Sequence, residues 1–187
     1  MKKVLLVLVV LGALAASGVA YSSLASGGPS DDPFVAGGGR FGPGCFDVNT
    51  SFCFANPRDL SVDAHLEKKG TKVTGILHYG NNAGVLRNRV DVTCVSIVGN
   101  RAAVGGIIRD SASTETIEYG AVMFLQDLGS PGTSTRDRSS PFFFDVLTSP
   151  SWPAGFPYTC PAPDSPLNTV GFQAVHSGDV IISAGKD

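Results

Sequence analysis

The chain is poor in the residues that carry most enzyme chemistry. Its 187 residues include one tryptophan, two methionines and three histidines, and its four cysteines never occur as a CxxC pair. Structural zinc needs paired cysteines or a Cys/His cluster, so no metal site is expected. The metalloprotease helix HExxH, the hydrolase elbow GxSxG and the Walker loop are all missing. "GNRAAVGG" at Gly99–Gly106 does not replace the last of these. It runs on into Ile107 without the lysine and Ser/Thr that hold phosphate. "DSASTE" lacks the alternating ligands of a calcium loop. No cofactor is expected. Charge is scarce as well, with 14 Lys+Arg against 16 Asp+Glu. So mild a balance gives no basic face for nucleic acid.

What the chain does have begins with an export signal. Lys2 and Lys3 precede an uncharged apolar run, Val4 to Ala16, and small residues follow. This reads as a signal peptide over residues 1–20, cut after Ala20, with a second candidate cut after Ala25. The product is secreted, with no membrane span left after cleavage and a net charge near −4. No cysteine near the cut offers a lipid anchor. Residues 21–44, rich in Gly, Ser and Pro, read as a flexible leader. Asp31 and Asp32 are read there as solvated. One domain then spans 45–187. The NTS at Asn49 is a sequon that matters only in a glycosylating host.

Export gives the cysteines a meaning. Cys45, Cys53, Cys94 and Cys160 all lie in the exported part, where an even count favours disulfides. Three pairings exist. Cys45 and Cys53 enclose only "FDVNTSF" and join easily. That pairing leaves Cys94 for Cys160, closing a loop of about 65 residues. A nucleophilic Cys94 would need a positioned base, and none lies nearby in sequence.

The domain has the period of strands. Leu60, Val62, Ala64 and Leu66 share one parity, and Val73, Gly75, Leu77 and Tyr79 continue it past the turn at Lys69-Gly70. Matching the apolar faces sets Ala64 opposite Gly75 and Val62 opposite Leu77. His65 then lies opposite Thr74 and His78 opposite Ser61. The two histidines share the polar face about 13 Å apart, too far for one metal. A longer strand follows, with Val90, Val92, Cys94, Ser96 and Val98 on the expected core face. A turn at Gly99–Arg101 leads back through "RAAVGGIIRD", where Gly105 and Gly106 mark a bend, a bulge or a closely packed neighbour. Ile117 to Leu128 is a further strand. Residues 129–166 are largely irregular, with a short strand in "SPFFFDVL" whose aromatics cap the core. "LNTVGFQAVHSGDVIIS" gives two strands joined at Ser177-Gly178.

The expected fold is therefore all-β, a small antiparallel meander barrel of about seven or eight strands, stabilised by disulfides. A two-sheet β-sandwich is the alternative. A true immunoglobulin domain would want its tryptophan between bridged cysteines, whereas Trp152 sits in the Pro-rich loop.

"GGGRFGPG", "LSVDAHLEKKGTKVTGILHYG", "VDVTCVSIVGNRAAVGGII", "RDRSSPFFFDV", "CPAP" and "GDVIIS" together resemble a group of secreted bacterial β-domains, actinobacterial in type, whose function is not known. The resemblance covers most of the mature chain. It implies an exported, compact all-β domain and brings no catalytic residue with it.

Three functional classes stay open. The first is a non-catalytic domain, structural or binding, that contacts an extracellular protein, a polymer or a surface. The second is a barrel for a small hydrophobic ligand, with Phe142, Phe143, Phe144, Trp152, Phe156 and Tyr158 over its mouth. The third is a hydrolase or isomerase. Its material would be Asp63 with His65 or His78, or a carboxylate pair among Asp63, Glu67, Asp91, Glu115 and Glu118.

Overall fold

The computed structural model describes residues 32–67, 72–81, 87–129, 136–168 and 171–185. The expected signal peptide, the first part of the leader and the Lys69-Gly70 turn lie outside the described residues. The strands are β1 (Phe34–Phe41), β2 (Gly44–Cys45), β3 (Cys53–Phe54), β4 (Arg58–Leu66), β5 (Val73–Gly80) and β6 (Arg87–Val98). They continue as β7 (Arg101–Ser111), β8 (Gly120–Gln126), β9 (Arg138–Ser139), β10 (Phe143–Asp145) and β11 (Gln173–Ser183). One 3-10 turn, Thr114–Thr116, interrupts them.

Eight strands close an antiparallel barrel in the order β8-β7-β6-β5-β4-β1-β11-β9, and β9 pairs back onto β8. Closure rules out the two-sheet sandwich. The β4–β5 register is the one the apolar parity demands, with Ala64 against Gly75, Val62 against Leu77, His65 against Thr74 and Ser61 against His78. One side of each strand points inward. Val35, Phe41, Leu60, Val62, Ala64, Leu77, Tyr79, Val90, Val92, Val104, Ile108, Met123 and Leu125 form one buried cluster that fills the barrel.

The glycine-rich stretch corrects the expected leader. Residues 34–41 belong to the barrel, as β1 between β4 and β11. Its glycines serve close packing. A Cβ on Gly37, at φ 114°, would lie 2.2 Å from the Asp179 carbonyl oxygen, and one on Gly39 would lie 2.0 Å from that of Ser177. Phe34 pairs with Ser183, so β1 starts beside the end of β11. A second correction concerns the last segment. It is one strand, β11, not two; its register slips opposite Arg40 and Phe41, with Gly178 at φ 105°.

A third correction lies in β6. Strict alternation would put Cys94 inside with Val90 and Val92. The register instead shifts between Val92 and Cys94, where Gly106 and Gly105 are their respective partners on β7. This bulge hands the inward parity to Val95 and Ile97, which pack on the barrel core. Cys94 is buried all the same, at 2% exposure. It sits on the outer wall, beneath the loop that carries Cys160. Both disulfides form as expected, Cys45–Cys53 and Cys94–Cys160.

Candidate functional site

The six aromatics expected over a pocket mouth divide among three places. Phe142 enters the core and stacks on Tyr79 at 4.9 Å between ring centroids. It closes the barrel end where β5 finishes. Burial pushes the Tyr79 phenol up to about 12 despite Arg58 beside it, so the hydroxyl stays protonated. Phe143 meets Phe124 edge-on, and Phe144 is exposed.

Trp152 and Phe156 lie elsewhere. They stack at 4.2 Å and pack, with Leu167 and Phe172, on Ala103, Val122 and Phe124. Those three residues face outward from β7 and β8. The long Pro-rich connection is thus a cover over the outer wall. Gly105 and Gly120 make room for it, since a Cβ on either would touch the Phe156 ring, at 3.0 and 2.5 Å respectively. The Cys94–Cys160 bridge pins the cover to β6, and the Thr93 hydroxyl donates to the Pro157 carbonyl. Tyr158, at the edge, is largely exposed.

A groove opens where this cover ends. β5 pairs with β6 only from Ile76–Asp91 to Gly80–Arg87. Among the described residues, Val73 to Gly75 have no ladder partner on β6, which itself runs on to Val98. The space between has a volume of about 320 Å³ and is lined by Leu66, Val73, Cys94, Val95, Ser96 and the segment 158–160. Of these lining residues the sequence singles out only Cys94, Cys160 and Tyr158. The others read as ordinary strand positions, because nothing local announces that two strands part.

The carboxylates expected to pair do not do so. Asp91 is bound to Arg89 at 2.9 Å and lies 3.6 Å from Arg109, which also holds Glu118. Glu67 meets Lys72 at 3.4 Å. Glu115 is exposed in the 3-10 turn. These are solvent-facing ion pairs on the polar side of the sheet. His65 donates from its Nε2–H to Asp63 Oδ1 at 2.7 Å, and both side chains are well exposed. His78 stands apart from them, its basicity lowered by burial and by Arg89 and Arg87.

A carboxylate group that sequence reasoning missed closes the barrel seam. β9 is two residues long, and among the described residues β11 pairs with it only at Gln173 and Ala174. Asp137, 5% exposed, supplies acceptors instead. Its Oδ2 accepts from Val180 N–H at 2.7 Å and its Oδ1 from Leu128 N–H at 2.9 Å. Asp127 accepts from Ile182 N–H at 3.2 Å. Asp179 lies beside them with its carboxyl pushed up to about 6, by burial and by a hydrogen bond it donates to Asp137. Backbone donors take up these oxygens, and among the described residues no group of three or more His, Cys, Asp or Glu is arranged to hold a metal.

Comparison with protein-family models, with curated proteins and with solved structures finds no match to this chain.

Proposed function

We propose that this chain is an exported, non-catalytic β-barrel module that works by contact with an extracellular partner. The filled interior carries this reading. A barrel whose centre is occupied by Val62, Leu77, Val90, Val104, Ile108, Met123 and Leu125 leaves its walls, loops and grooves as the working surface. The export signal, the two disulfides and the ion-paired outer face support it. Disulfides persist in an oxidising compartment, and they hold here the two longest excursions from the barrel. The resemblance to secreted bacterial β-domains agrees.

Native mass spectrometry of the protein recovered from an exporting host tests the reading. The expected species starts at Tyr21, carries both disulfides and holds no small molecule. A copurifying apolar ligand that dissociates only on unfolding would overturn the filled barrel. A full-length chain with free thiols, retained in the cell, would overturn export.

A further inference from the structure

The two disulfides sit in opposite surroundings. Cys94 is buried beneath the Pro-rich cover, and Cys160 packs on the cluster of Ala103, Val122 and Phe124. Cys45 and Cys53 are both exposed. They lie on a separate ribbon whose ladder is two residue pairs, Gly44–Phe54 and Cys45–Cys53. A thiolate has to reach a disulfide sulfur to exchange with it, so access decides which bridge opens first. The first arm of the ribbon is anchored to the domain. Phe46 is buried, Asp47 N–H donates to the Phe172 carbonyl at 3.1 Å, Asp47 Oδ1 accepts from Phe172 N–H at 2.6 Å, and Arg138 pairs with the same carboxylate. The second arm is tied back to the first. Phe52 N–H donates to Asn49 O at 2.9 Å, and Phe52 O accepts from Phe46 N–H at 3.2 Å. The Phe52 ring leans on Phe46 at 5.6 Å and on Phe54 at 5.8 Å, and shields both from solvent while itself 42% exposed.

We propose that Cys45–Cys53 is a thiol-exchange site, opened by a dithiol, and that its opening releases the 50–53 arm and lays bare the Phe46 and Phe54 rings. A thiolate of the dithiol attacks one Sγ, forms a mixed disulfide and expels the other cysteine as a thiolate. The second sulfur of the dithiol, on losing its proton, displaces the first cysteine. The bridge takes up two electrons and two protons and ends as two thiols; the dithiol gives up both and ends as a disulfide. The barrel survives the exchange, because Cys94–Cys160 stays closed beneath its cover. The first arm stays in place as well, held by Phe46, Phe172 and Arg138. What changes is the surface at this end of the barrel. Phe54 lies on Phe41 at 6.1 Å and under the Arg58 guanidinium at 4.6 Å, so the uncovered rings form an apolar face beside a cation. Contact at this end of the module is then set by the redox state around it. The exchange is measured on oxidised protein, so its outcome is separate from where the cell sends the chain.

Timed treatment of the oxidised protein with dithiothreitol, quenched with iodoacetamide and mapped by peptide mass spectrometry, tests the exchange. Cys45 and Cys53 become alkylated at least tenfold faster than Cys94 and Cys160. Equal rates, or the reverse order, overturn the proposal. Amide exchange followed by NMR tests the released arm, in the selectively reduced protein and in Cys45→Ser/Cys53→Ser. The Phe52 and Phe46 amides exchange at least tenfold faster than in the oxidised wild type. The Phe172 amide, held by Asp47, and the amides of β7 keep their protection. An unchanged Phe52 amide overturns the release of the arm. Loss of protection in β7 at the same dithiothreitol concentration overturns the site itself, since the bridge would then open only by unfolding.

Discussion

Replacing Gly120 by alanine puts a methyl carbon 2.5 Å from a Phe156 ring carbon and 2.9 Å from Leu147 Cδ2. The Leu147 end turns away easily. The Phe156 ring does not, because Trp152 stacks on it at 4.2 Å. Overpacking of this kind costs about 1–3 kcal/mol, and we set Gly120→Ala near 2 kcal/mol. Phe156→Ala removes a half-buried ring. It costs about 2 kcal/mol, less than the 3–5 of a fully buried phenylalanine. Combined, the two changes relieve each other, since the new methyl occupies space that the ring has left. The double variant therefore falls short of the sum by about 1.5 kcal/mol. The assay is urea denaturation of the oxidised protein followed by far-UV circular dichroism. That signal reports the barrel and does not depend on Trp152 fluorescence, which Phe156→Ala perturbs directly. Additivity within about 0.5 kcal/mol would refute the placement of the cover on the outer wall.

Two further outcomes follow from the crosslinks and the seam. Removing Cys94–Cys160 by paired serine substitutions costs about 4 kcal/mol from the 66-residue separation, against about 2.5 for Cys45–Cys53 with a separation of 8. Denaturation midpoints in that order support the bridges as drawn, and the reverse order contradicts them. Asp179 makes stability fall with rising pH. Its folded-state carboxyl is raised to about 6, so its contribution is complete below about pH 4 and is lost as pH climbs through 6. Discounted for its partial exposure, the loss is about 1 kcal/mol, or roughly 2–4 °C. Asp179→Asn removes this difference between pH 4.5 and pH 7 in thermal melts, and an unchanged slope in the variant assigns it to other groups.

The sequence was most legible where one face of a hairpin is buried. Register along β4 and β5 follows from parity alone, because a slip by one residue would turn every apolar side chain outward. Disulfide pairing was legible from loop length. Composition misled at β1, where three consecutive glycines look like a linker and instead permit backbone approach on both sides. Alternation misled at Cys94, since one extra residue at the bulge reverses parity without any local mark except Gly105 and Gly106 on the partner strand. The aromatic-rich connection showed its apolar character but not its destination. The outer faces of β7 and β8 are apolar too, at Ala103, Val122 and Phe124, and those continuous apolar runs were the available sign that both faces are covered. The seam carboxylates gave no sign at all, for an aspartate that caps backbone donors looks like any loop aspartate.

The pairing of Phe34 with Ser183 has a mechanical consequence. The chain enters and leaves the barrel side by side, so tension applied through both ends peels β1 from β11 one bond at a time, the weakest geometry for resisting force. Once that pair opens, the Cys94–Cys160 crosslink still withholds the stretch between them from extension. Joined into a longer polymer, the domain hangs as a pendant bulb beside the line of force rather than as a link within it. It yields early and then stops at a covalent limit.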